Sequence, residues 1–93
     1  MKRELSWSPM FRRKMRRWVK SHPQTASDLR ATLIALSGDA LNPLLHTHKL
    51  KGKWSGCWAC SAGYDFRIVF ELVMQKGTEM IFLHTLGTHD DVY

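Results

Sequence analysis

Between residues 64 and 74 the chain alternates with a period of two. Phe66, Ile68, Phe70 and Leu72 fall on one side; Asp65, Arg67, Val69, Glu71 and Val73 fall on the other. This pattern predicts a half-buried strand, Tyr64–Met74, whose apolar row must be covered by another element. Gln75-Lys76-Gly77-Thr78 reads as a turn and Glu79–Leu86 as a second apolar strand, so the two are expected to pair antiparallel. Trp54–Ala62, ended by Gly63, is a third strand candidate. Glu4-Leu5-Ser6-Trp7 is a short edge or first strand.

The cover comes from the first half of the chain. Ser8-Pro9 is a helix start, with serine as N-cap and proline at the first helical position. Phe11, Met15, Trp18, Val19 and His22 then recur at helical spacing, and Pro23 ends the run. A second helix begins near Thr25, where Thr25-Ala26-Ser27-Asp28 is a weak capping box, and stops at Gly38-Asp39. Its inward face is Ala26, Leu29, Leu33 and Leu36, extended by Ile34. Residues 39–53 are expected to form a loop, broken at Asn42-Pro43. A helix pair followed by consecutive strands predicts an α+β fold, an N-terminal helical hairpin on one face of a small antiparallel sheet.

At 93 residues the chain has room for one domain, 1–93. No apolar run approaches the roughly 20 residues that span a bilayer, and the basic start lacks the apolar core of a signal peptide. A soluble, cytoplasmic protein is expected. The formal net charge of +6 is unevenly placed. Residues 1–53 hold 12 Lys/Arg against 3 acids, and residues 54–93 hold 2 against 5. The first part therefore favours phosphate-rich or acidic partners.

Cys57 and Cys60 form a C-x-x-C inside a predicted strand, where residues three apart point to opposite faces. Neither the strand-to-helix setting of a redox pair nor the second ligand pair of a zinc site accompanies it. Two buried thiols are expected, with no metal and no cofactor. His46 and His48 form an H-x-H without a third ligand nearby and read as loop decoration. His84 reads as structural, and His22 as a cation suited to a helix C-terminus.

The face opposite the helices, with Asp65, Arg67 and Glu71, is expected to be either solvent or a groove. A cation there, Arg67, is most simply a cross-strand partner for Asp65 or Glu71. Antiparallel pairing also brings Thr88-His89 back beside Asp65 and Arg67, and the His48–Lys53 loop leads into the neighbouring strand. Tyr93 follows four residues after His89. An arginine to stabilise phosphate charge and a histidine to move protons suit phosphodiester cleavage. In RNA the 2′-hydroxyl supplies the nucleophile, so no protein nucleophile or metal is needed. A polar tail with no role is the plain alternative for residues 87–93.

The run His48-Lys49-Leu50-Lys51-Gly52, the stretch Gly56…Tyr64-Asp65-Phe66-Arg67-Ile68-Val69-Phe70 and the ending Gly87-Thr88-His89…Tyr93 resemble the RelE superfamily of bacterial toxins, most closely its YafQ branch. The resemblance covers residues 44 to the end, and the helix pair before it fits in order and length. It implies the toxin of a type II toxin–antitoxin pair. Such toxins are ribosome-dependent endoribonucleases that cut mRNA and are held inactive by a cognate antitoxin in a hetero-oligomer. By position His48, Asp65, His89 and Tyr93 match YafQ-type active-site residues, with Tyr for a terminal Phe, and Arg67 matches the strand arginine of RelE-type toxins. Where YafQ toxins carry an Asp and a His on the adjacent strand, this chain has Ala59 and Ser61. Where RelE toxins place lysines there, it has Trp58 and Cys60.

On this basis His89 is the expected proton-transfer residue, Arg67 the stabiliser of transition-state charge, and His48 a base or phosphate contact. Asp65 orients a histidine or pairs with Arg67, and Tyr93 stacks on a base or donates its hydroxyl. Lys49, Lys51, Lys53, Arg12, Arg13, Arg16 and Arg17 are the expected RNA-binding cations; the alternative for the helix is an ordinary solvated face. Two other functions share the sequence features. One is a ParE-type inhibitor of a DNA topoisomerase such as gyrase, without nuclease activity. The other is a non-toxic basic nucleic-acid-binding module.

Overall fold

The computed structural model describes residues 3–63 and 66–92. Strand β1 (Glu4–Trp7) leads into helix α1 (Pro9–Ser21), and a 3-10 turn at Pro23–Thr25 leads to α2 (Ala26–Gly38). Strands β2 (His48–Lys49), β3 (Trp58–Ser61), β4 (Phe66–Gln75) and β5 (Thr78–Thr88) follow, and a short helix α3 (His89–Val92) ends the described chain. The five strands form one sheet in the order β1-β5-β4-β3-β2. No helix among the described residues is long and apolar enough to cross a membrane.

The α+β class and the helical hairpin on one sheet face are as the pattern predicts, with one difference in the sheet. β1 runs parallel to β5, pairing Glu4 with Met80 through Trp7 with Leu83, so the sheet is mixed. Parallel neighbours need a long crossover, and here everything from α1 to β4 supplies it. Local alternation in four residues carries no information about that direction.

Ser8 sets the start of α1. Its hydroxyl accepts the Phe11 N–H at 2.9 Å and donates to the His84 carbonyl at 2.7 Å, while its own N–H donates to Leu83 at 3.0 Å. The N-cap is thus also the joint between α1 and β5. Phe11 lies fully buried from α1, with Leu29, Leu33 and Leu36 from α2, against Phe66, Ile68, Phe70, Ile81, Leu83 and Leu86 of the sheet. Each such side chain contributes about 1.5–3 kcal/mol by leaving water. Trp18 packs on Phe66 with ring centroids 4.4 Å apart.

Four local expectations need correction. Thr25 does not cap α2 through its side chain; its hydroxyl donates back to the His22 carbonyl at 2.7 Å, closing the Pro23 turn instead. Ile34 is 59% exposed rather than inward, and Thr32 takes the buried place, its hydroxyl bonded to the Asp28 carbonyl. The strand expected from Trp54 begins at Trp58, because Gly52–Trp54 forms a 3-10 turn and Gly56 takes a left-handed φ of +92°. Within the expected loop 39–53, His48 and Lys49 add an edge strand.

The β4–β5 hairpin closes through Lys76 and Gly77, both at positive φ, a geometry that matches strand twist. Farther along, its register shifts. Val69 pairs with Thr85 but Phe70 pairs with Leu83, which leaves His84 as an extra residue, a β-bulge. Before the bulge odd-numbered residues of β5 face the helices; after it Leu86 does.

The other face of the sheet has a core of its own. Val69 and Ala59 are buried there beneath Leu50, Cys57 and Val92, with Trp54 packed against them. Cys57 and Cys60 are both free thiols and fall in these two separate clusters, on opposite faces as the strand geometry predicts.

Candidate functional site

The β4–β5 register places Phe66 opposite Thr88 and Arg67 opposite Gly87. On its other side Arg67 faces Ser61. Directly opposed residues share a face, so Arg67 stands on the face away from the helix pair, between a serine and a glycine. It is half-buried, and its guanidinium Nη1 donates to the Phe66 carbonyl at 3.1 Å. Neither Glu71 nor any other described acid is its ion-pair partner.

His89 opens α3, one residue past the end of β5. The turn that holds it is a capping box. The Thr88 hydroxyl accepts the Asp91 N–H at 3.3 Å, and the Asp91 carboxylate accepts the Thr88 N–H at 3.1 Å. Val92 then buries itself in the far-face cluster. The tail is therefore a folded element. His89 remains exposed, its Nδ1 3.7 Å from Asp90 Oδ1.

The tail separates two clefts of about 430 Å³ each. One is lined by Leu50, Lys51, Lys53 and Trp54 with Asp90, Asp91 and Val92. The other lies toward α1, lined by Lys14, Arg17, Trp18, Ser21 and His22 with Leu86, Gly87 and Asp91. Trp18 and His22 stack in this second cleft, with centroids 4.2 Å apart, and Trp18 Nε1 and His22 Nδ1 are buried without hydrogen-bond partners among the described residues. His22, expected at the end of the α1 stripe, is thus a stacked wall of a cleft.

The remaining expected residues are dispersed. His48 lies on β2 opposite Ala59, two strands from β4, and its Nδ1 donates to the His46 carbonyl at 3.0 Å. At roughly 4.8 Å per strand it stands on the order of 10 Å from the Arg67 strand. Lys49 lies over the Trp58 ring at 5.3 Å and Lys53 over Trp54 at 5.6 Å, while Lys51 shares the Lys53 cleft. On α1 the cations divide. Arg17 lines the tail cleft, Arg12 and Arg16 lie beside Trp7 and Met15, and Arg13 is exposed. Asp65 and Tyr93 lie outside the described residues. Lys14, three residues from Arg17 on the same helical face, belongs with the tail cleft, an assignment that the charge run alone did not single out.

Burial shifts one thiol strongly: it pushes Cys60 up to about 12, with the Arg67 guanidinium pulling the other way. Cys57 is raised as well, by burial and then by the Glu71 carboxylate.

The model of the YafQ toxin, the bacterial toxin of a type II toxin–antitoxin system, matches residues 3–93. The chain belongs to the YafQ family of type II toxins. Solved structures agree in fold. The chain superposes on a YafQ mutant from E. coli with a TM-score of 0.79 at 17% identity, covering 98% of each chain. Against the E. coli DinJ–YafQ toxin–antitoxin complex the TM-score is 0.78 at 18% identity, covering 100% of this chain and 99% of the other. The YoeB–YefM complex from Staphylococcus aureus gives 0.71 at 14% identity, covering 96% and 99%. No curated protein matches the sequence. Within this YafQ-family chain, Ala59 is fully buried under the far-face cluster, so a carboxylate there would be desolvated. Ser61 faces Arg67 directly.

Proposed function

We propose that this toxin is a ribosome-dependent endoribonuclease that cuts mRNA and so inhibits translation. The observation that carries the proposal is the placement of His89, held by the Thr88–Asp91 capping box one step beyond the Gly87–Arg67 pair, with lysines on one side and Lys14 and Arg17 on the other. A single strand laid across the tail meets phosphate-binding cations in both clefts and a Trp18–His22 platform suited to a base. The 2′-hydroxyl attacks the adjacent phosphorus, and the 5′-oxygen leaves. His89 exchanges the proton and Arg67 stabilises the charge on the phosphate oxygens, with no metal required. His48 acts from the β2 edge as a phosphate contact. Asp65 and Tyr93 complete the set in the roles expected from sequence.

The regulatory partner is a cognate antitoxin, as the DinJ–YafQ and YoeB–YefM complexes suggest by analogy. Primer extension on mRNA after induction tests the proposal. Cuts within translated codons are expected from the wild type and are expected to fall by about 10²- to 10⁴-fold in a folded His89→Ala variant. Intact mRNA with damaged DNA would point to topoisomerase inhibition instead, and full cleavage by His89→Ala would remove His89 from the mechanism.

A further inference from the structure

The far face of the sheet holds a cluster that the ribonuclease reading does not use. His84 is the extra residue of the β5 bulge, Glu71 lies on β4, and Cys57 sits one residue before β3. The His84 Nε2–H donates to Glu71 Oε1 at 3.0 Å. The Cys57 sulfur, the Glu71 oxygen and the His84 nitrogen all lie within 4.8 Å of one another. Among the described residues this is the group of three possible ligands so gathered.

We propose that Cys57, Glu71 and His84 form a binding site for a zinc-class divalent cation. One thiolate, one imidazole and one carboxylate are the donors that zinc accepts, and three protein ligands leave a fourth position for water. Ligand atoms around tetrahedral zinc stand about 3–4 Å apart, given bonds of about 2.0–2.3 Å. The observed spacing needs only small side-chain adjustments to reach that. On binding, the sulfur coordinates as thiolate and its proton goes to solvent, while the neutral imidazole keeps its one proton on the ring nitrogen that does not bind the ion.

The surroundings fit an ion as well as a hydrogen-bonded pair. Cys57 is buried, whereas the His84 and Glu71 side chains are 26% and 44% exposed, so an ion has a path inward. Phe82 packs edge-on against the His84 ring at 4.7 Å, and Trp54 lies 5.9 Å from it. These rings limit the imidazole's rotation. The bulge matters here, because with it both Thr85 and His84 belong to the far face. The bound ion would tie the approach to β3, β4 and β5 together beneath Trp54, which lines the lysine cleft. The site is separate from the His89 turn.

The full-length chain, freed of metal, is titrated with Co²⁺ and, in competition with a chromophoric chelator, with Zn²⁺. One equivalent should bind, and Co²⁺ should show a thiolate-to-metal charge-transfer band in the near ultraviolet. Cys57→Ser should abolish that band, and Cys57→Ser and His84→Gln should each weaken Zn²⁺ by about 10-fold or more. Cys60→Ser and His46→Ala/His48→Ala should leave both measurements unchanged. Should Cys57→Ser fail to fold by circular dichroism, Glu71→Gln replaces it, with the same loss of Zn²⁺ affinity expected. The proposal is overturned by Co²⁺ binding without a sulfur band, by a band surviving Cys57→Ser, or by Zn²⁺ affinity that Glu71→Gln and His84→Gln leave intact. The readouts need no RNA cleavage, so they stand apart from the ribonuclease reading.

Discussion

Gly87 occupies a place where a Cβ would lie 2.8 Å from the Cβ of Asp91. The glycine is needed for space alone, since its backbone is not left-handed. Gly87→Ala should push Asp91 off the Thr88 N–H and cost about 1–2 kcal/mol by urea denaturation, through the lost box and the overpacking. RNA cleavage should drop more steeply than stability, because His89 rides on the same turn. In an Asp91→Gly background the added methyl should cost little. Additive losses in that double-mutant cycle would show that the two residues are not coupled.

Ser8 offers a different test, because one hydroxyl serves two elements. Ser8→Ala should cost about 2–4 kcal/mol, combining the N-cap with a buried carbonyl at His84 left unpaired. Ser8→Asp keeps the acceptor for Phe11 but cannot donate to His84. It should fall between serine and alanine in denaturant midpoint. Equal stability of the Asp and Ala variants would mean that the cap contributes nothing measurable.

The division of cations on α1 predicts unequal effects on RNA binding. Lys14→Ala/Arg17→Ala should flatten the salt dependence of affinity by a slope of about 1–2, the effect of removing two cations beside the tail if both contact phosphate. Arg12→Ala/Arg16→Ala, beside Trp7 and Met15, should change it less. A filter-binding titration at several salt concentrations on a His89→Ala background decides it. Identical slopes for the two pairs would mark the helix as a general electrostatic surface.

Cys60 sets an alkaline limit. Its thiol is pushed up from 9.0 to about 12 in the fold, so the folded state keeps a proton that the unfolded chain loses. The stabilisation is complete below about pH 9 and is lost as the pH rises toward 12, at up to about 1.4 kcal/mol per unit. Cys60→Ala should remove this component. The difference in unfolding free energy between wild type and variant, followed from pH 8 to 11, isolates it from tyrosine and lysine titration. A constant difference would contradict the burial argument.

Much of this molecule is visible in its residue pattern. The period-two row of β4, the capped stripe of α1 and the turn at Lys76-Gly77 each follow from local chemistry, and the return of Thr88 to the start of β4 follows from their combination. The remaining features depend on distant partners. The direction of β1 is decided by β5, and the inward choice of Thr32 over Ile34 by the pose of α2. The bulge at His84 is a matter of β4–β5 register, and its carbonyl meets the Ser8 hydroxyl from 76 residues away in sequence. Asp91 is a different case: Thr88-His89-Asp90-Asp91 has the spacing of a capping box, in the same weak form as Thr25–Asp28. The motif forms at the tail and fails at α2, where the Pro23 turn holds Thr25 in helical φ/ψ instead of the extended conformation of an N-cap. The gathering of Cys57 with Glu71 and His84 left no sign in C-x-x-C spacing, because its partners come from other strands.

Val92 has a consequence beyond anchoring. The tail is seated on the small far-face cluster, while the helix pair is seated on the large one. Elements resting on separate clusters can open separately, and the smaller cluster opens at lower cost. Amide hydrogens of residues 89–92 should therefore exchange faster than those of β4, through an opening that leaves the helices in place. Warming would silence such a protein by releasing its last turn before melting its body, and cooling would restore it without refolding.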